Sequence, residues 1–191
     1  MNTYCINLSY RPDRWEEAQQ EFPLLDLDVT RFEAIHKGIG WQGCKASHMA
    51  LLRKVKREGV FMIAEDDIEV VGKKKHLDAA MDQLPENWDM LYLGANLTRK
   101  IERYSKNLFR LQGGLTVSSI IYNNQNGVCD HILENIGGQR TDLFMIDHVQ
   151  PVFNCFITYP MIMTQRAGFS DIINKYTSYR QIKRNYRKYT R

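Results

Sequence analysis

Only four cysteines occur among the 191 residues, at Cys5, Cys44, Cys129 and Cys155. They form no C-x-x-C pair and no cysteine–histidine cadence suited to structural zinc. Disulfide scaffolds and zinc ribbons are thereby excluded. Each cysteine sits among apolar or small neighbours, so each reads as a buried free thiol in a reducing cytosol. Long hydrophobic runs are missing as well. The longest, such as Val60–Ala64 and Ser119–Tyr122, are far too short to cross a bilayer, and Met1–Leu8 has no charged segment leading into an apolar one. Acidic residues are absent from Ile173 to Arg191, where seven basic ones stand (Lys175, Arg180, Lys183, Arg184, Arg187, Lys188, Arg191). The first 172 residues therefore carry 19 basic against 22 acidic residues, or −3, within a chain of net charge +4. With 43% hydrophobic and 25% charged residues, the balance is that of a globular protein with room for one domain of ordinary size. A cytoplasmic location is expected.

Apolar patterning alternates strands with helices. Tyr4–Leu8 reads as a buried strand, Ser9–Asp13 as a turn, and Pro12 or Asp13 as the start of a helix through Gln20. A second helix is expected from about Cys44 to Glu58, where Met49, Leu52 and Val55 recur at helical spacing, with Gly59 ending it. Val60–Ala64 reads as a strand buried on both faces, followed by Glu65-Asp66-Asp67. Further on come a helix at Lys75–Gln83, a strand at Asp89–Leu93, a β-rich segment at Leu115–Tyr122, a helix at Gly127–Glu134 and a strand at Phe153–Tyr159. This order predicts an α/β fold with a mostly parallel central sheet flanked by helices, in which ligands gather at the carboxyl ends of strands.

Three adjacent carboxylates repel one another, and a divalent cation is the usual reason to tolerate them. Oxygen ligands of this kind suit Mn²⁺ or Mg²⁺ together with phosphate oxygens. A solvated acidic loop or a helix cap is the bland alternative. Just past the first strand, Asn7, Arg11 and Arg14 can hold a diphosphate or a base, or can simply decorate an exposed turn. In Gly43-Cys44-Lys45-Ala46-Ser47-His48 a glycine turn feeds a helix N-terminus, a natural phosphate site, with Ser47 and His48 in the first turn facing the ligand. Capping by Ser47 and a packed His48 are the alternative.

Taken in order, these blocks resemble glycosyltransferase family 25, which includes bacterial lipooligosaccharide galactosyltransferases and collagen galactosyltransferases. The resemblance spans nearly the whole chain. It is carried by Ile6-Asn7-Leu8 with Arg11-Pro12-Asp13-Arg14, by Ala34-Ile35, by Gly43-Cys44 with Ser47-His48, and by Ile63-Ala64-Glu65-Asp66-Asp67-Ile68. Trp88-Asp89 with Leu91-Tyr92-Leu93-Gly94 continues it, and Tyr159-Pro160, Gln165 and Ser170-Asp171-Ile172 close it. One departure is Trp41 in Gly40-Trp41-Gln42-Gly43, where the family commonly has a glutamate.

The resemblance implies a GT-A type fold, a UDP-sugar donor and transfer of galactose or glucose with inversion to a hydroxyl of a glycan, lipid-linked or protein acceptor. It makes Glu65-Asp66-Asp67 the counterpart of the D-x-D motif. The metal role falls first on Asp67, with Asp66 and Glu65 as ribose, metal or outer ligands. Asp142 lies where the family has a lone aspartate before the final strand and is the expected base, with Asp147 competing. His148 can complete the metal shell, because related folds use a late histidine. A surface acid or a packed histidine is the plain reading of these three. A different class, a module that binds a nucleotide-sugar, a glycan or a nucleic acid without turnover, is the main alternative.

Residues 1–172 are expected to form the glycosyltransferase domain and 173–191 a basic tail. From Ile172, the positions Tyr176, Tyr179, Ile182, Tyr186 and Tyr189 follow at spacings of three and four, which predicts one amphipathic helix. Its apolar face would dock on the domain or meet an anionic membrane surface, with nucleic acid ranked last among partners.

Overall fold

The computed structural model describes residues 1–191. β1 (Asn2–Asn7) leads into α1 (Pro12–Glu21), whose proline lies in the first turn, where its missing N–H has no helical partner to lose. β2 (Val29–Glu33) precedes α2 (Gly40–Val55). Gly59, at a φ of 77°, turns the chain into β3 (Val60–Glu65), and β4 (Ile68–Val70) follows at once. Next come α3 (Lys74–Met81), β5 (Met90–Tyr92), β6 (Asn96–Leu97), β7 (Glu102–Arg103), β8 (Leu108–Arg110), β9 (Gly114–Leu115) and β10 (Ser119–Asn123). The rest comprises α4 (Val128–Asn135), α5 (Thr141–Phe144), β11 (Cys155–Thr158), β12 (Met163–Gln165), β13 (Gly168–Ser170), β14 (Lys175–Thr177) and α6 (Arg180–Tyr189).

Eight strands make one sheet in the order β2-β1-β3-β10-β5-β11-β8-β7. The alternation of apolar side chains divides the core into two layers. Phe61, Ile63, Tyr92, Ile120, Tyr122 and Ile157 face a cluster shared with Leu52 of α2, Ile132 of α4 and Ile182 of α6. Their neighbours Met62, Ala64, Leu91, Ile121 and Phe156 face the other cluster, with Ala18 of α1 and Leu77 of α3. Helices therefore cover both faces, as expected of an α/β protein.

The sheet is mixed, which corrects the expectation of a mostly parallel one. β1 pairs in parallel with β2 and β3, and β5 with β11, whereas β10 runs antiparallel between β3 and β5, and β8 antiparallel to β11 and β7. A strand buried on both faces is apolar throughout, and nothing in such a run records its direction.

Two further corrections concern helix limits. α2 begins at Gly40, before the glycine turn expected at Gly43. Gly43 lies inside the helix, where a side chain is excluded because a Cβ would meet the Ile35 carbonyl oxygen at 2.8 Å. Ser47 and His48 consequently sit about two turns into the helix. At the other end of the chain, Ile172 and Tyr176 belong to the β13–β14 hairpin and are exposed. Asn174 and Tyr179, with φ of 51° and 50°, break the helical path, and only Arg180–Tyr189 is helical. Ile182 and Tyr186 are buried in the core, and the Tyr186 hydroxyl hydrogen-bonds to the Thr158 carbonyl. The tyrosine face of the tail thus packs against the body of the protein. No helix is long and apolar enough to cross a membrane.

Candidate functional site

A cavity of about 620 Å³ opens at the carboxyl ends of β1 and β3. One wall comes from α2, through Gly40, Gly43, Cys44, Ser47 and His48. A second comes from the hairpin segment Ser170–Asn174, and the floor carries Glu65, Asp66 and Asp67. The hairpin can approach α2 closely because Gly40 has no side chain: a Cβ there would lie 2.5 Å from the Ile172 Cα.

The three carboxylates turn to three different sets of partners. Asp66 accepts hydrogen bonds from Arg14 at 2.9 Å and from Asn7 Nδ2 at 2.7 Å. Asn7 is itself held by a hydrogen bond from Arg31 to its Oδ1. Burial still raises the Asp66 pKa, against the opposing charge of Arg14. Glu65 accepts from His48 Nε2 at 3.1 Å and from the Cys44 thiol at 3.4 Å. Burial opposes its charge, but these hydrogen bonds prevail and its pKa is lowered. Asp67 has one side-chain donor, Gln165 Nε2, at 3.1 Å from Oδ2. Its Oδ1 is buried with no partner. Burial first, and then the charges of Glu65 and Asp66, push the Asp67 carboxyl up to about 8.

Asp67 is therefore the carboxylate with an oxygen left to offer a cation. An orphaned buried acceptor on a group that resists ionisation is the environment a hard divalent ion would relieve. The fit is local, because Asp66 is already committed to Arg14 and Asn7.

The other expected site residues divide into two groups. Arg14, Ser47, His48, Glu65, Asp66 and Asp67 line the cavity, whereas Asn7 and Arg11 stand behind it. Asn7 is buried and positions Asp66. Arg11 pairs with Asp13 at 2.8 Å and with Asp171 at 2.7 Å, which ties the hairpin to the start of α1. Ser47 Oγ donates to the Gly43 carbonyl and accepts from the Ile35 N–H, both at 2.8 Å, so its hydrogen bonds are spent on the fold. Asp142, Asp147 and His148 do not line the cavity. Asp142 pairs with Arg140 at 3.3 Å, and its charge adds to the burial that raises the Cys44 thiol. Asp147 is exposed, and the exposed His148 packs at a tilt against Phe144, with ring centroids 5.0 Å apart. The structure does not bring His148 to the carboxylates.

Three residues have roles that the sequence reading did not assign: Arg31, which orients Asn7; Asp171, which bonds Arg11; and Cys44, which shares Glu65 with His48. Cys44 and His48 stand four apart in a run already read as helical, and that spacing places both on one helix face. The partner, Glu65, is 21 positions away from Cys44 and has no such signal.

No family model matches the chain, and no curated protein matches it. Among solved structures the chain is similar to one titled "Crystal Structure of A197 from STIV", at 10% identity and a TM-score of 0.44, covering 93% of this chain and 94% of that one.

Proposed function

We propose that the chain is a metal-dependent inverting glycosyltransferase that moves a hexose, galactose or glucose, from a UDP-sugar to a hydroxyl of a glycan, lipid-linked or protein acceptor. The observation that carries this reading is the unpartnered buried oxygen of Asp67 on the floor of a cavity at the carboxyl ends of two parallel strands. Such strand ends are where open α/β sheets bind ligands. The in-order blocks that resemble glycosyltransferase family 25 support the same reading, because Arg14, Ser47 and His48, Glu65–Asp67 and Gln165, from separate blocks, line one cavity.

In this reading Asp67 would hold Mn²⁺ or Mg²⁺ through its unpartnered Oδ1. When bound, the ion supplies positive charge for the departing diphosphate. Arg14, on the cavity wall and fixed by Asp66 and the Phe169 carbonyl, adds a second fixed positive charge for the phosphates. The hairpin wall limits water around the sugar, which suppresses donor hydrolysis. A base must stand within hydrogen-bond reach of the acceptor hydroxyl. Asp142, the base expected from the resemblance, lies outside the cavity and is paired with Arg140, so it fills that role only if acceptor binding brings the two together.

Thermal-shift and calorimetric titration of the full chain with UDP, with and without Mn²⁺, tests the proposal. Stabilisation by UDP that requires Mn²⁺ and disappears in Asp67→Asn is expected. No nucleotide-dependent shift with either metal would end it. A screen of nucleotide-sugars for donor hydrolysis then identifies the sugar.

A further inference from the structure

We propose that Cys44, His48 and Glu65 form a second metal site, suited to a borderline thiophilic ion such as Zn²⁺ and separate from the hard-cation position at Asp67. The donor atoms are a thiol sulfur, an imidazole nitrogen and a carboxylate oxygen, all within 4.8 Å of one another. Their chemistry differs from that of the acidic floor. Sulfur and imidazole donors select Zn²⁺ and related ions over Mn²⁺ or Mg²⁺.

The spacing of the donors fits such an ion. Zinc bonds of about 2.0–2.3 Å in a tetrahedron require donor-to-donor edges of roughly 3.3–3.7 Å. The Glu65 oxygen lies 3.1 Å from His48 Nε2 and 3.4 Å from Cys44 Sγ, near two of these edges, and the third, between the Cys44 sulfur and the His48 ring, lies within 4.8 Å. Cys44 and His48 are four residues apart on α2 and share one face of a rigid helix, while Glu65 ends β3, the strand buried at the centre of the core. Regular elements therefore deliver all three ligands.

All three residues also line the 620 Å³ cavity. Three protein ligands with a fourth position facing open space is the pattern of zinc sites that bind water or an exogenous ligand, whereas structural zinc is closed by four protein groups. The class of ligand such a position takes is a small anion or a hydroxyl. Binding converts the Cys44 thiol to a thiolate and releases its proton to solvent, so zinc affinity rises with pH. Nothing in this inference depends on sugar transfer.

The test is titration of the purified full chain with Co²⁺, followed by ultraviolet and visible absorption, and with Zn²⁺ by calorimetry. One equivalent of Co²⁺ with a thiolate-to-cobalt charge-transfer band is expected, displaced by one equivalent of Zn²⁺. Cys44→Ser abolishes the band, and Cys44→Ser and His48→Gln each weaken zinc by more than about 100-fold, beyond the roughly 10–100-fold that loss of an outer-sphere partner costs. Asp67→Asn, which removes the proposed Mn²⁺ position, leaves the band in place, so failure of one site is distinguishable from failure of the other. Absence of the band in the unmodified chain, or its persistence in Cys44→Ser, would overturn the assignment. Should Cys44→Ser fail to fold by circular dichroism, His48→Gln and the unmodified chain still decide the outcome.

Discussion

Asp67 concentrates the electrostatic cost of the site in one side chain. Its carboxyl is raised to about 8 in the folded chain, well above its unfolded value. Between those two values the folded state holds more protons than the unfolded state, so stability falls as pH rises through the window. In metal-free buffer the chain is expected to lose stability from pH 5 to pH 8, with Asp67 contributing up to about 1.4 kcal/mol per pH unit. Asp67→Asn removes that share of the slope, and urea denaturation at several pH values measures it. Bound Mn²⁺ compensates the same charge, so its stabilising effect grows with pH. Asn7 gives a second residue-scale prediction. Asn7→Ala leaves Asp66 with Arg14 alone and leaves Arg31 without one of its acceptors. A loss of about 1–3 kcal/mol is expected from denaturant unfolding, the usual result of unpairing a buried polar group.

The residue scale is also where the sequence was least legible. Glu65, Asp66 and Asp67 were readable as a site because they follow a buried apolar strand. Their separate loyalties were not, because His48, Arg14, Asn7 and Gln165 come from four other stretches of chain. Cys44 read as inert for the same reason. Asp147 and His148 read as candidates by position in a resemblance, and they lie at the surface because Phe144 and Val149 of the same turns take the buried positions.

Among the elements, the β13–β14 hairpin is the most consequential, since it forms a wall of the cavity. Its seat depends on Gly40, where a Cβ would also meet the Asp171 carbonyl oxygen at 2.6 Å. Gly40→Ala is expected to displace the hairpin and cost about 1–3 kcal/mol, as overpacking does. Faster hydrogen exchange across residues 168–177, with the exchange of β3 unchanged, is the measurement that checks this. Periodicity located most elements well: β3, α3, α4 and β11 lie within one or two residues of where the pattern put them. It failed at the hairpin because Ile172, Tyr176 and Tyr179 happen to match a helical spacing while the backbone reverses at Asn174. Spacing records a side chain's recurrence but not the turn that interrupts it.

For the molecule as a whole, the basic segment is two things at once. Ile182 and Tyr186 complete the core cluster beneath α2 and α4, while Arg184, Arg187 and Lys188 remain exposed. Ending the chain at Tyr179 is expected to expose that cluster and lower the unfolding midpoint. Ile182→Ala alone should cost about 2–5 kcal/mol, the range for a large buried aliphatic side chain. Guanidinium denaturation checks both, and an unchanged midpoint would mean that α6 is dispensable to the core. The fold class was legible at this scale from alternating strands and helices. The direction of β10 was not, because Ile120, Ile121 and Tyr122 are all buried and would be equally so in a strand running the other way.

That reversed strand has a practical use. Ser119 at its start pairs with Ala64 beside the carboxylates, whereas Asn123 at its end pairs with Val60 at the opposite rim of the sheet. The four steps of extended chain from Ser119 to Asn123 separate the two rims by roughly 13 Å. A fluorescent reporter on the exposed Gln125 would thus register unfolding from a distance, leaving the cavity chemistry undisturbed.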